Sequence, residues 1–151
     1  MKLFISAGGT GGHIFPGIAV AEKFAAKEVK ENVIFIGTTY GLESKIIPGY
    51  GFRLLFADAR QFLGKSILYK AATLLHLLRG IRTCMKLIKK ERPDAILGMG
   101  GFTSVPVILA GFLLRIPSFL HEQNAEPGLA NKMLSKFARC TFTSFEESKE
   151  H

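Results

Sequence analysis

Three short stretches hold most of the residues whose types and spacing suit chemistry. The first is Ser6-Ala7-Gly8-Gly9-Thr10-Gly11-Gly12-His13, which follows an apolar run from Leu3 to Ala7 broken only by Ser6. Glycine destabilises regular structure, so this density predicts a turn whose backbone something approaches closely. Placed at the start of a helix, the amides of Gly11 and Gly12 suit an anion such as a diphosphate. A merely tight strand-to-helix turn would need one or two glycines. The stretch is not a Walker loop, because no Gly-Lys-Ser/Thr follows, and it fails G-x-G-x-x-G, because the third position falls on Ile14. His13 is the residue there able to exchange a proton near neutral pH.

The second stretch, Gly98-Met99-Gly100-Gly101-Phe102-Thr103-Ser104, repeats the pattern of glycines after an apolar run. Thr103 and Ser104 suit either ligand contact or a helix cap. The third, His121-Glu122-Gln123-Asn124-Ala125-Glu126-Pro127-Gly128, is the densest polar cluster in the chain. It lacks the second histidine of H-E-x-x-H, which argues against zinc. Glu122 or His121 suits a role in satisfying loop amides, whereas Asn124 is placed to present its amide to a ligand.

The elements that must position these loops follow from hydrophobic patterning. Short apolar runs at Lys2–Ala7, Asn32–Gly37, Phe52–Ala57, Ala95–Leu97, Ser118–Leu120 and Cys140–Thr143 predict buried strands. Helical patterns span Ile14–Lys27, Leu42–Pro48, Ile67–Lys90, Val105–Leu114 and Leu129–Phe137, with Pro93 ending the longest. Such alternation predicts one doubly wound α/β domain with a mainly parallel sheet, a Rossmann-like arrangement. All three loops then open at the carboxyl edge of the sheet, where open parallel sheets bind ligands.

With 151 residues, 48% of them hydrophobic and 21% charged, the chain has the composition of a globular domain. Cys84 and Cys140 form no C-x-x-C pattern and read as reduced thiols of a cytoplasmic protein. The longest apolar stretch, Val105–Leu114, falls short of the ~20 residues of a membrane span, and no signal peptide is evident. The expectation is a soluble protein. Its net charge of +8 is concentrated: residues 60 to 92 hold nine basic side chains and one acid, while the remainder balances. Such a surface predicts an anionic partner. Along the Ile67–Lys90 helix, Ile67, Ala71, Leu74, Leu78, Ile81, Met85 and Ile88 share a face, widened by Leu68 and Leu75. Arg79, Arg82, Lys86, Lys89 and Lys90 line its flank. A core-packed helix with a solvated side shows similar patterning. The broad arc and single-signed flank favour an anionic bilayer surface, with Leu75, Leu78, Arg79, Ile81, Arg82 and Lys86 at the interface. Nucleic acid fits less well, since only Phe62 and Tyr69 are available there for stacking and the chain has no Trp.

Taken together, GGTGGHIFPGIAVA, PDAILGMGGF and LHEQNAEPGLANK, with FTSFEES near the end, resemble the N-terminal half of the MurG family. These are the bacterial transferases that move GlcNAc from UDP-GlcNAc to lipid I in peptidoglycan synthesis. The resemblance runs from Leu3 to about Ser148. It implies a GT-B architecture of two Rossmann-like domains. Residues 1–151 would form the acceptor and membrane-docking domain, and a donor-nucleotide domain would begin soon after position 151. It further implies that Thr10, Gly11, Gly12 and Asn124 touch the sugar nucleotide and that His13 lies near the reacting centre as a candidate general base. Glu122 would lie in the acceptor pocket, and Gly100, Gly101, Phe102 and Gln123 among the substrate-binding residues. No metal or other cofactor is implied. Implied partners are UDP-GlcNAc, undecaprenyl-linked lipid I, the cytoplasmic face of the membrane and other cell-wall synthesis proteins. Phe102 stands where the family often has tyrosine, which removes a phenolic hydroxyl. Two other readings stay open: the acceptor subunit of a split GlcNAc transferase, and a non-catalytic basic module for nucleotides or nucleic acids. In the leading reading the domain by itself is expected to be inactive.

Overall fold

The computed structural model describes residues 1–57 and 67–150. Arg60, Phe62 and Lys65 of the basic segment lie outside the described residues. In chain order the elements are β1 (Leu3–Ser6), α1 (Gly11–Ala25), β2 (Val33–Gly37), α2 (Glu43–Gly49), β3 (Arg53–Phe56) and α3 (Ile67–Glu91). There follow β4 (Ala95–Gly98), α4 (Gly101–Leu113), β5 (Ser118–Glu122), α5 (Leu129–Leu134) and β6 (Cys140–Thr143). Single turns of 3-10 helix occur at Lys30–Asn32 and Glu147–Glu150.

The six strands form one sheet in the order β3-β2-β1-β4-β5-β6. Every pairing is parallel, with Leu3 opposite both Val33 and Ala95. This is the doubly wound order, and the chain reverses direction across the sheet between β1 and β4. Alternate residues of each central strand serve opposite faces. Leu3, Ile5 and Ala7 pack with Ile14, Ile18 and Ala21 of α1 and Ile47 of α2. On the other face Phe4, Ile34, Ile36 and Ile96 pack with Cys84 and Ile88 of α3, Val107 and Ile108 of α4, and Leu134 of α5. Covering both faces explains why these strands read as unbroken apolar runs.

Helix α3 ends where the sequence requires. Arg92 adopts a left-handed conformation at φ 52°, its N–H donates to Ile88 O at 2.8 Å, and Pro93 prevents continuation. The single apolar arc expected along α3 divides in two. Ile81 and Met85 are half-buried and Ile88 is buried against the core, whereas Leu74, Leu75 and Leu78 are exposed.

Candidate functional site

The β1–α1 turn is built around Gly9, whose φ of 89° lies in the region that only glycine adopts without strain. Its N–H points inward and donates to Glu43 Oε2 at 3.1 Å. Helix α1 then begins at Gly11, so His13 stands in its first turn and not in a preceding loop. Thr10 occupies the N-cap but makes no capping bond from its side chain. Its Oγ1 lies instead 2.9 Å from His13 Nδ1. The first amides of α1 are therefore left for another acceptor.

The β4–α4 turn meets this one directly. Gly100, with φ 90° and ψ −173°, caps α4, which starts at Gly101. Helix α4 thus takes in Phe102, Thr103 and Ser104, and the Ser104 hydroxyl turns back to donate to Gly100 O at 2.8 Å. A methyl group on Gly100 would lie 3.3 Å from His13 Cδ2, and one on Gly101 would lie 3.4 Å from His13 Cε1. The imidazole therefore rests on the Gly100–Gly101 backbone. A methyl on Gly9 would meet Phe102 Cε1 at 3.2 Å, so the Phe102 ring covers the first turn. Both helices carry a proline six residues in, Pro16 and Pro106. A proline has no N–H, so the carbonyls of Gly12 and Phe102 have no i+4 helix donor.

Gly100→Ala is a test of this packing. That backbone conformation is essentially confined to glycine, and the new methyl would also press on Asn131 Nδ2 at 3.1 Å. The expected loss of stability is about 1–3 kcal/mol, read from the urea unfolding midpoint.

The third stretch is organised by Glu122, which closes β5 and is buried. Its Oε1 accepts from the backbone N–H of Asn124 and from Asn124 Nδ2, both at 2.9 Å. Oε2 accepts from the Gly128 N–H at 3.1 Å and from Asn131 Nδ2 at 2.8 Å. Burial opposes its charge, but these donors outweigh burial and hold the carboxyl below the usual carboxylate range. Asn124 is exposed, with its side-chain nitrogen turned to Glu122 and its backbone carbonyl accepting from Ser148 Oγ at 2.7 Å. Gln123 Oε1 is buried without a partner. His121 Nε2 lies 3.4 Å from Ser144 Oγ, while its Nδ1 is buried and unpartnered. For His13, burial pushes the pKa below the usual histidine range, and the Glu122 charge acts in the opposite direction.

The structure thus brings His13, Thr10, Gly100, Gly101 and Phe102 into contact. Glu122, Asn124 and Gln123 gather at the neighbouring strand end. Two further residues of the site are not conspicuous from their neighbours in sequence. Asn131, in the first turn of α5, fills the space beside Gly100, with Nδ2 on Glu122 and Oδ1 buried without a partner. Glu43, at the start of α2, is fully buried beneath the first turn. Among the described residues no three His, Cys, Asp or Glu side chains gather in a metal-binding group.

The pattern of the glycosyltransferase family 28 N-terminal domain runs through residues 3–143. The chain belongs to glycosyltransferase family 28. Among family 28 relatives, it is 47% identical over 150 residues to a transferase of Geotalea uraniireducens, across 99% of this chain and 41% of that protein. That relative is named UDP-N-acetylglucosamine--N-acetylmuramyl-(pentapeptide) pyrophosphoryl-undecaprenol N-acetylglucosamine transferase. The protein of the same name from Geobacter sulfurreducens is 46% identical over 151 residues, covering all of this chain and 42% of the relative. The chain therefore spans about two fifths of the length of these curated relatives. The crystal structure of Acinetobacter baumannii MurG superposes with a TM-score of 0.84 at 30% identity, over 97% of this chain and 42% of that one. A UDP-GlcNAc 2-epimerase of Neisseria meningitidis, solved bound to UDP-GlcNAc, gives 0.71 at 15% identity over 99% of this chain and 42% of that one, a likeness of fold alone.

Proposed function

We propose that this family 28 domain is the N-terminal, acceptor-side half of an inverting transferase of peptidoglycan synthesis. It moves GlcNAc from UDP-GlcNAc to the C4 hydroxyl of MurNAc in undecaprenyl-linked lipid I, giving lipid II. The observation that carries the reading is the seating of His13: packed on Gly100–Gly101, with Thr10 at Nδ1. With the proton on Nδ1 and donated to Thr10 Oγ1, Nε2 keeps its lone pair for the acceptor hydroxyl. The hydroxyl oxygen forms the bond to C1 of GlcNAc as its proton passes to Nε2. The bond from C1 to the diphosphate breaks, and UDP leaves with the electron pair. The buried Glu122 charge favours the imidazolium that results. The free amides at the starts of α1 and α4 suit phosphate oxygens of donor and acceptor, and Thr10, Gly11, Gly12 and Asn124 are assigned to the sugar nucleotide. Phe102 and Gln123 border the same edge. No metal enters the reading.

The direct test is transfer of labelled GlcNAc to lipid I by a chimera in which this chain replaces the matching segment of the G. uraniireducens relative. Transfer near that relative's rate is expected; a folded chimera without transfer ends the reading. The 151-residue chain assayed alone is expected to be inactive, because most of the donor site is assigned to the other domain.

Docking on an anionic membrane surface belongs to the same reading. It rests on Leu74, Leu75 and Leu78, which are 56%, 48% and 55% exposed, beside exposed Arg79, Arg82 and Lys86. On the same helical layer, Phe112 and Phe137 pair edge to face and remain exposed. No described helix is long and apolar enough to cross a membrane. Burying a leucine is worth about 1.5–3 kcal/mol. Leu75→Ser with Leu78→Ser is therefore expected to lower co-sedimentation with anionic vesicles by about tenfold or more. Tight, salt-sensitive oligonucleotide binding with no affinity for such vesicles would favour the nucleic-acid reading instead.

A further inference from the structure

We infer that Glu43 is a positioning residue for the proposed substrate turn, holding the β1–α1 loop in its working shape from beneath. The inference rests on the transferase reading for what the turn binds. Its geometric content stands independently.

Glu43 is fully buried, and no described ion pair neutralises it. Its Oε1 accepts from the Thr38 N–H at 2.8 Å and from Thr38 Oγ1 at 2.7 Å, while Oε2 accepts from the Gly9 N–H at 3.1 Å. Thr38 Oγ1 accepts in turn from the Gly41 N–H at 3.1 Å. One carboxylate thereby ties the loop after β1 to the loop after β2, and its place in the first turn of α2 favours the negative charge. The surroundings are shaped to admit it. A methyl on Gly8 would come within 2.7 Å of Glu43 Oε1, and one on Gly37 within 2.5 Å of its Cγ. A methyl on Gly41 would also collide with the carboxylate. Three glycines from three segments are thus accounted for by one buried side chain.

The consequence for the site is directional. With Gly9 N–H drawn down to Glu43, that amide is withdrawn from any anion, and the turn presents Gly11 and Gly12 instead. A glutamine in place of Glu43 keeps the size but has one acceptor oxygen. If that oxygen serves Thr38, the amide nitrogen faces the Gly9 N–H, donor against donor, and the turn is released.

The test uses Glu43→Gln, with Thr38→Ala as the comparison that loosens the same network on the side away from Gly9. In amide spectra of the chain, E43Q is expected to shift Gly9, Thr10, Gly11 and Gly12, whereas T38A leaves Gly11 and Gly12 in place. In the chimeric transferase, E43Q is expected to lower kcat/KM by about tenfold or more, mainly through a raised KM for UDP-GlcNAc, with T38A within about threefold of wild type. Glu43→Asp keeps the charge and should recover part of the loss; it also replaces E43Q in the spectra should the glutamine variant not fold. Unmoved Gly11 and Gly12 amides would overturn the inference, as would a shifted turn with unimpaired KM and kcat. A wild-type chimera without transfer would sink the transferase reading, and the amide shifts alone would then decide the role of Glu43.

Discussion

Replacing His13 with alanine is expected to lower kcat for GlcNAc transfer by about 10²–10⁴-fold, the usual worth of a positioned general base. The loss should appear in kcat and kcat/KM together, because the proton moves only in the transition state. Wild-type kinetics from His13→Ala would remove the base assignment. The pH profile gives a second check. Burial lowers the His13 pKa, so the neutral, base-competent imidazole persists to lower pH than for an exposed histidine. Activity should therefore be complete above that value and fall as the pH drops through it, with the acid limb of kcat/KM below the usual histidine value of about 6.5. Glu122 raises the same pKa, so Glu122→Gln should move the acid limb further down.

Glu122→Ala is expected to cost about 2–3 kcal/mol of folding stability. The carboxylate gathers four donors, and its loss would leave the buried Asn131 amide without its charged acceptor. Chemical denaturation across pH separates this from simple cavity formation. The folded-state pKa of Glu122 is depressed, so its contribution is present above the unfolded carboxylate value of about 4.3 and is lost as the pH falls through the folded value. The alanine variant should lack that part of the acid slope. Equal slopes in variant and wild type would show that the charged form of Glu122 adds nothing to the stability of the fold.

The path of the chain was legible because parallel strands buried on both faces leave plain apolar runs, and each of the six runs became a strand. Several boundaries moved, α5 for instance ending at Leu134 and not Phe137 and α1 at Ala25 and not Lys27, and three of the shifts fall at the site. Helices α1 and α4 begin at Gly11 and Gly101, where glycine gives no propensity signal, and β5 extends through His121 and Glu122 although both are polar. Site residues that are locally conspicuous, such as His13 among glycines, could be named from their neighbours in sequence. Glu43 could not, since an acid in the first turn of a helix reads as an ordinary dipole-favouring residue. Its signal was indirect, in the need for glycine at 8, 37 and 41 at once. Asn131 lay inside the LHEQNAEPGLANK stretch, but only the fold shows it reaching back to Glu122 and Gly100. The division of α3 was hidden for a related reason. Helical periodicity gives the apolar face but not how far along it the core extends, and here core packing takes in Ile81, Met85 and Ile88 and leaves Leu74, Leu75 and Leu78 exposed.

The two glycine-rich turns spring from β1 and β4, the central pair of the sheet, and the Met99 N–H extends their ladder past the strand ends by donating to Ser6 O at 2.8 Å. Each of these strands is flanked on both sides, so opening either one disrupts the middle of the domain. The strand ends that carry the lip of the crevice are therefore coupled to global unfolding, and Glu43 ties the first turn to that frame. A ligand arriving there meets amides already set in place and loses little loop entropy in binding. The more easily opened parts of the sheet are its edge strands, β3 and β6, away from His13.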